Sequence, residues 1–148
     1  MTPLNIIQRS SIIKRIDFVE TELNDLAEYH ALDFKTYSQN RKIRREVDRI
    51  IENIANALID IGKIVLAGES SMLPESYAEV FTSLEACGVI NADLCGRIKD
   101  IARLRNILAH QYLDLKGDML KNPLSQGRLD AAEFIREIQR SHLMSHYE

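Results

Sequence analysis

Residues 41–68 read RKIRREVDRIIENIANALIDIGKIVLAG, and this stretch decides the fold class. Its apolar residues recur every three or four positions, which is the spacing of one face of an α-helix. Gly68 follows the last of them, and glycine is favoured in the left-handed conformation just past a helix end. The stretch therefore predicts one long amphipathic helix that ends at Gly68. The residues of its apolar face are Ile43, Val47, Ile50, Ile54, Ala57, Leu58, Ile61 and Val65.

The same periodicity continues on both sides of this helix. Upstream, an apolar stripe predicts a first helix, and Asp33 or Ser38 is available to cap the long one. Downstream, Pro74 predicts the start of a short third helix, which Gly88 ends. The stripe of the first helix consists of Ile12, Ile16, Val19, Leu23 and Leu26, and the apolar residues of the third are Tyr77, Val80, Phe81 and Leu84.

Two more helices complete the chain. Asn91 is placed to cap a fourth helix, and Gly117, Pro123 and Gly127 mark a loose connection before the last one. Five helices, two of them long, predict an all-α antiparallel bundle that forms a single domain over residues 1–148. The apolar residues are Leu94, Ile98, Ile101 and Leu108 in the fourth helix, and Leu129, Ala132, Ile135 and Ile138 in the last.

The composition fits a folded domain and excludes several classes of protein. Of the 148 residues, 45% are hydrophobic and 28% are charged, which is far from the profile of a disordered chain. The net charge of -3 offers no bulk attraction to nucleic acid, so any RNA must bind at a local basic cleft. Cys87 and Cys95 fit small hydrophobic positions in helices better than a disulfide. No leader peptide or membrane-spanning run is evident, which favours a cytoplasmic protein.

The residues that suggest chemistry are 105–112, RNILAHQY. Arg105 falls in the middle of the apolar stripe of the fourth helix, where core packing would favour an aliphatic side chain. A buried guanidinium needs a carboxylate, a phosphate ligand or a wet cleft at an interface. Asn106 and His110 are four residues apart on one face, so the amide can orient the imidazole.

Arg105 and His110, in contrast, are five residues apart, which separates them by about 140° around an ideal helix. Either the helix bends or ends between them, or each site takes its arginine and histidine from two subunits. We favour a homodimer. A two-fold axis beside this helix would also bring together two copies of Arg103 and Arg105 and create a local cluster of positive charge.

The order arginine, asparagine, three residues, histidine, one residue, tyrosine, late in a small helical bundle, resembles the motif of HEPN domains. The histidine-x-tyrosine ending resembles the HepT toxin branch of that family. The run Leu73-Pro74-Glu75-Ser76-Tyr77, followed by Gly88-Val89-Ile90, also resembles the HepT pattern that leads into the motif helix. The resemblance covers nearly the whole chain and implies a HEPN-type bundle.

The resemblance further implies a metal-independent endoribonuclease that serves as the toxin of a type VII toxin-antitoxin system and needs no cofactor. Arg105 would bind the scissile phosphate, His110 would transfer protons, and Asn106 would orient the histidine. The antitoxin of such a system is a nucleotidyltransferase (MNT) that AMPylates the motif tyrosine, which is Tyr112 here. AMP at that position would add bulk and negative charge where the RNA phosphate enters.

Each of these residues also has a purely structural interpretation. Arg105 can be part of a structural ion pair, and His110 can be an ordinary surface histidine. Tyr112 can be an amphipathic residue that ends a helix, with its ring on the core and its hydroxyl in water. A basic run opens the long helix and can contact RNA, although a solvated face is the simpler explanation. Metal binding is not expected, since His142 and His146 have a suitable spacing but no evident third ligand. The basic residues considered for RNA binding are Arg41, Arg44 and Arg45, together with Arg103.

For the whole chain, the alternative to a ribonuclease is a non-catalytic helical protein that binds a nucleotidyltransferase as its partner or substrate. The sequence contains no phosphate-binding glycine loop, no closely spaced cysteine pair and no paired-carboxylate signature. Kinase, zinc-enzyme and glycosidase functions therefore have no support.

Overall fold

The long helix expected from residues 41–68 forms the centre of the protein. The computed structural model describes residues 3–69, 74–110, 121 and 123–144, and all regular structure within them is helical. The six α-helices in this part of the chain are α1 (Ile6–Ala27), α2 (Phe34–Gln39), α3 (Arg41–Ala67), α4 (Tyr77–Ala86), α5 (Ala92–His110) and α6 (Gln126–Ile138). A π-helical turn, Gln139–Leu143, continues α6.

Helix α3 packs against each of the other five helices, and α5 lies against α3, α4 and α6. The buried side chains join into one hydrophobic core to which every helix contributes. For example, the rings of Phe81 in α4 and Phe134 in α6 meet edge to face at 5.7 Å between centroids. The expected all-α bundle is therefore confirmed.

The caps explain why the described residues hold six helices instead of the five that periodicity suggested. Asp33 does not cap the long helix, because its carboxylate accepts a hydrogen bond from the backbone N–H of Thr36, at 2.6 Å, and thereby starts α2. Ser38 lies inside α2. Asn40 caps α3, accepting from the N–H of Ile43 at 3.1 Å.

The two glycines that end helices behave differently. Gly68 follows α3 with φ -91°, so the expected left-handed conformation at this position is wrong. Gly88 follows α4 with φ 77°, a conformation that favours glycine. Helix α4 also begins later than expected: Ser76 caps it and Tyr77 is its first residue, whereas Pro74 precedes the helix.

The buried face of α6 was only partly anticipated. Leu129 is 60% exposed, so its expected core position is wrong, whereas Ile135 and Ile138 are buried as expected. Phe134 and Asp130 turn inward beside them. The buried Asp130 carboxylate pairs with the partly exposed Arg97 of α5, and this ion pair connects α5 to α6.

Two further expectations concern bulk properties. Cys95 is buried and Cys87 half-buried, and both are free thiols, as expected for small hydrophobic residues. Within the part of the chain that the structure describes, no helix combines the length and the apolar character needed to cross a membrane.

Candidate active site

Arg105 is half-buried on α5 and is held by two neighbours from other helices. Its Nε donates a hydrogen bond to Oδ1 of Asn56 in α3, at 3.0 Å. Its guanidinium carbon lies 4.9 Å from the centre of the Tyr77 ring in α4, within cation–π range. Among the described residues, no carboxylate oxygen lies within 4 Å of it. The positive charge is therefore fixed in place but not neutralised there.

This arrangement bears on the structural alternative for Arg105. The four apolar residues of its stripe are buried as expected, which places the guanidinium at the margin of the core. The partners found for it are an amide and an aromatic ring, not the carboxylate of a structural ion pair. A neutral amide and a ring orient a guanidinium while leaving its charge available to an anion. The residues of the stripe are Leu94, Ile98, Ile101 and Leu108.

The remaining motif residues are only partly described. Asn106 is exposed, and its Oδ1 accepts a long hydrogen bond of 3.4 Å from Nη1 of Arg105. His110 is the last residue of α5, but its side chain lies outside the described residues, as does Tyr112 entirely. Helix α5 is unbroken from Arg105 to His110, which removes the possibility that the helix ends between them.

Three residues that the sequence did not mark as functional surround Arg105. Asn56 and Lys63 lie on α3, and because they are seven residues apart they share a face. Tyr77 is the first residue of α4. The Lys63 ammonium lies 5.5 Å from the centre of the Tyr77 ring, which also contacts Arg105. Tyr77 belongs to the run that carried the family resemblance, but Asn56 is 49 positions from Arg105 and no local pattern connects the two.

Gly62 explains how α4 reaches this position. A Cβ at residue 62 would lie 2.6 Å from Cγ1 of Val80 and 3.1 Å from Cδ1 of Leu84, both on α4. Only glycine therefore permits this approach without a shift of one helix. Tyr77 lies three residues before Val80, on the same side of α4. The close contact thus brings the Tyr77 ring over the part of α3 that carries Lys63.

The other candidate RNA-binding arginines lie apart from this cluster. Arg103 is exposed and pairs with Asp100 of its own helix at 3.1 Å. Arg41 and Arg45 are exposed at the start of α3, and Arg44 donates to the carbonyl of Ser38. From Arg44 to Asn56 the rise of an α-helix amounts to roughly 18 Å. The basic run is therefore separate from the Arg105 cluster within one chain.

His142 has a different environment from the motif histidine. It is buried, and its Nδ1 lies 2.7 Å from the hydroxyl of Ser141. Its Nε2 has no hydrogen-bond partner among the residues that the structure describes. Burial lowers the pKa of His142 below its usual value, against the opposing effect of Glu69. His146 lies outside the described residues. Among the residues with described positions, no group of three histidine, cysteine or acidic side chains is arranged to hold a metal ion.

Comparison with solved structures defines the class of fold. A tri-AMPylated HEPN toxin of Shewanella oneidensis, solved in complex with MNT antitoxin, superimposes with a TM-score of 0.79 at 23% identity, covering 88% of this chain and 98% of that one. A toxin-antitoxin structure with AMP-PNP gives a TM-score of 0.80 at 22% identity, covering 89% and 99%. YutE of Bacillus subtilis, a cytosolic protein of unknown function, gives 0.75 at 20% identity, covering 95% and 92%. The bundle is a HEPN fold.

Sequence comparison identifies the family within that class. A family model described as ribonuclease HepT-like matches residues 19–138. The chain is also 25% identical over 107 residues to the mRNA nuclease HepT of Shewanella oneidensis, which covers 72% of this chain and 80% of that one. The protein belongs to the HepT-like ribonuclease family, so the family membership that the resemblance indicated is confirmed.

Proposed function

We propose that this protein is a metal-independent endoribonuclease that cleaves cellular RNA in the cytoplasm and acts as the toxin of a toxin-antitoxin pair. The observation that carries the proposal is the guanidinium of Arg105, fixed by Asn56 and Tyr77 and free of carboxylate partners among the described residues. It lies on the same helix as Asn106 and His110, in a chain of a ribonuclease family. We assign the whole chain, residues 1–148, to one domain.

Arg105 and His110 have complementary roles in the proposed reaction. The imidazole of His110 removes the proton from an RNA 2′-hydroxyl, whose oxygen then attacks the adjacent phosphorus. The bond from phosphorus to the 5′-oxygen breaks, and the imidazolium returns its proton to that oxygen. The products are a 2′,3′-cyclic phosphate and a 5′-hydroxyl. Because this transesterification changes no oxidation state, it needs no oxidant or reductant. Arg105 binds the non-bridging oxygens and stabilises the charge that develops on them.

The catalytic pair is assembled across a homodimer in this proposal. Five residues of continuous helix separate Arg105 and His110 by about 140° around the axis and roughly 7 Å along it. On an ideal helix, positions 105 and 110 therefore face different sides of the axis. A second copy related by a two-fold axis beside this helix would supply the histidine to the arginine of its partner. The paired copies would also concentrate positive charge from Arg103 and Arg105 in one cleft.

The antitoxin assigned to this toxin is a nucleotidyltransferase that transfers AMP to Tyr112. The support is the position of Tyr112 two residues beyond His110, together with the solved relative that is an AMPylated toxin in complex with MNT antitoxin. An added nucleotide phosphate would repel the RNA backbone and occupy its place at Arg105. Mass spectrometry after co-expression with a nucleotidyltransferase of the MNT type should show AMP on Tyr112. An inhibited complex with unmodified Tyr112 would contradict this mode of control.

The decisive experiment is cleavage of a defined RNA by the purified chain in the presence of a chelator. His110→Ala and Arg105→Ala should each reduce the rate at least about 100-fold, the usual contribution of a proton-transfer or charge-stabilising group. His30→Ala is the matched control, because His30 is exposed and is separated from the motif by much of the chain. Equal activity of His110→Ala and wild type, after removal of contaminating nucleases, would refute the proposal. No cleavage by wild type would favour a non-catalytic partner of the nucleotidyltransferase.

A further inference from the structure

The ring of Tyr77 is shared by two positive charges. The guanidinium carbon of Arg105 lies 4.9 Å from the ring centre, and the Lys63 ammonium lies 5.5 Å from it. The two cations are therefore within about 10 Å of one another. Bringing like charges together is unfavourable, and the ring offsets only part of that repulsion. Such a pair is most stable when an anion is bound between or beside the two charges.

Neither cation has an acidic partner in the described part of the chain. No carboxylate oxygen there lies within 4 Å of Lys63 or Arg105. The contrast with other arginines on α5 is direct, since Arg97 and Arg103 both form ion pairs. In a protein of net charge -3, two cations on one ring without counter-ions among the described residues supply local positive charge that a polyanion can use.

The contacts also restrict the two cations to different degrees. Nε of Arg105 is bonded to Asn56 and the guanidinium lies over Tyr77, so its rotation is restricted. Among the described residues, its terminal amino groups make only the long contact to Asn106, so they are available to phosphate oxygens there. Lys63 is exposed and has a single described contact, the ring. The guanidinium of Arg105 is thus held in one orientation, whereas the ammonium of Lys63 sits on a flexible side chain.

We propose that Tyr77 is a positioning residue for Arg105, and that Lys63 binds an RNA phosphate next to the scissile one. This inference rests on the proposed ribonuclease function, because it assigns the substrate strand to the same site. Tyr77 acts through Arg105 and should affect the chemical step. Lys63 contacts the strand away from the reacting bond and should affect binding.

The test is steady-state cleavage of a short single-stranded RNA in chelator, with RNA binding measured separately in the His110→Ala background. Tyr77→Leu removes the ring and should lower kcat about 10-fold with little change in KM, whereas Tyr77→Phe keeps the ring and should restore most of kcat. Lys63→Gln should raise KM and the Kd for RNA about 5-fold or more, and Lys63→Arg should restore both. Lys35→Gln, an exposed lysine on α2, is the control.

Salt dependence gives a readout that a merely structural residue would not change. A lysine that contacts one phosphate of a single strand contributes about 0.7 to the slope of log K against log salt. Lys63→Gln should lose that contribution and Tyr77→Leu should not. Unchanged Kd and salt slope in Lys63→Gln would overturn the role of Lys63, and wild-type kcat in a folded Tyr77→Leu would overturn that of Tyr77.

The outcome also separates this inference from the proposed function. If wild type cleaves RNA but these substitutions have no effect, the inference alone fails. If wild type binds RNA through Lys63 but never cleaves it, the ribonuclease proposal fails and the phosphate site stands. Thermal unfolding of each variant identifies any loss that is caused by misfolding.

Discussion

Replacing Gly62 with alanine should destabilise the protein, although alanine is the better helix former. The new Cβ would lie 2.6 Å from Cγ1 of Val80, a distance at which either the Val80 side chain or one of the helices must shift. Val80 is fully buried and its β-branched side chain has one strongly preferred rotamer in a helix, so it cannot turn away easily. Overpacking of this kind costs about 1–3 kcal/mol, against a gain of about 1 kcal/mol in helix propensity. The expected net loss is therefore up to about 2 kcal/mol.

Gly96 provides a matched control, because it lies in α5 and a Cβ there would meet nothing within 4 Å. Gly96→Ala should therefore stabilise the protein by about 0.5–1 kcal/mol. Urea unfolding at neutral pH measures both, and Gly62→Ala should have the lower midpoint by roughly 1 M. Adding Val80→Ala to Gly62→Ala should relieve the clash and give a coupling energy above about 0.5 kcal/mol. Equal stabilisation by the two glycine replacements would refute the reasoning.

Two further stability predictions concern charged groups. Asp130→Ala leaves Arg97 without its buried partner and should lower the free energy of unfolding by about 2–3 kcal/mol, less than a fully buried pair because Arg97 keeps Glu133 and some solvent contact. Asp93 is the exposed partner of Arg97, so Asp93→Ala should change the free energy of unfolding by less than about 0.5 kcal/mol in denaturant titrations. Equal losses of stability in Asp130→Ala and Asp93→Ala would contradict the expected difference. For His142, burial lowers the pKa in the folded state, so the unfolded chain binds the proton more tightly and stability falls as pH drops below about 6.5. Denaturant unfolding at pH 7 and at about pH 5 should show this loss of stability in wild type but not in His142→Asn. Parallel pH profiles of the two proteins would exclude His142 as the cause.

Periodicity was sufficient to predict the five longer helices, because each buries a stripe whose spacing is visible in the sequence, but it did not reveal the short helix α2, which buries only Tyr37. It was weaker at helix ends, where several polar residues compete for one cap. Asp33 and Asn40 both accept hydrogen bonds from backbone N–H groups three residues on, and only the path of the chain shows that they start two helices. Gly68 and Gly88 likewise look equivalent in sequence, but they differ in the sign of φ.

The register of α6 shows a different limit. Leu129 fits an apolar stripe and is exposed, whereas Asp130 is polar and buried. The inward turn of Asp130 depends on Arg97, 33 positions earlier, so its burial follows from tertiary packing and not from local pattern.

The candidate site was likewise only partly predictable from the sequence. The motif identified Arg105 and its need for a partner, because a charge in an apolar stripe is visible in sequence. The partner amide of Asn56 and the shared ring of Tyr77 come from helices distant in sequence, so only the fold could reveal them. The pairing of Arg105 with His110 and the modification of Tyr112 stay predictions.

The glycine contact on α3 has a consequence for how the family can vary. The eight residues from position 56 to position 63 of α3 include Asn56, Gly62 and Lys63 of the candidate site. They also include the core residues Leu58 and Ile61. Loss or gain of one residue here would rotate everything beyond it by about 100° and exchange inward and outward side chains. An insertion or deletion in this segment should therefore be tolerated less well than one of the same size in the connections between helices.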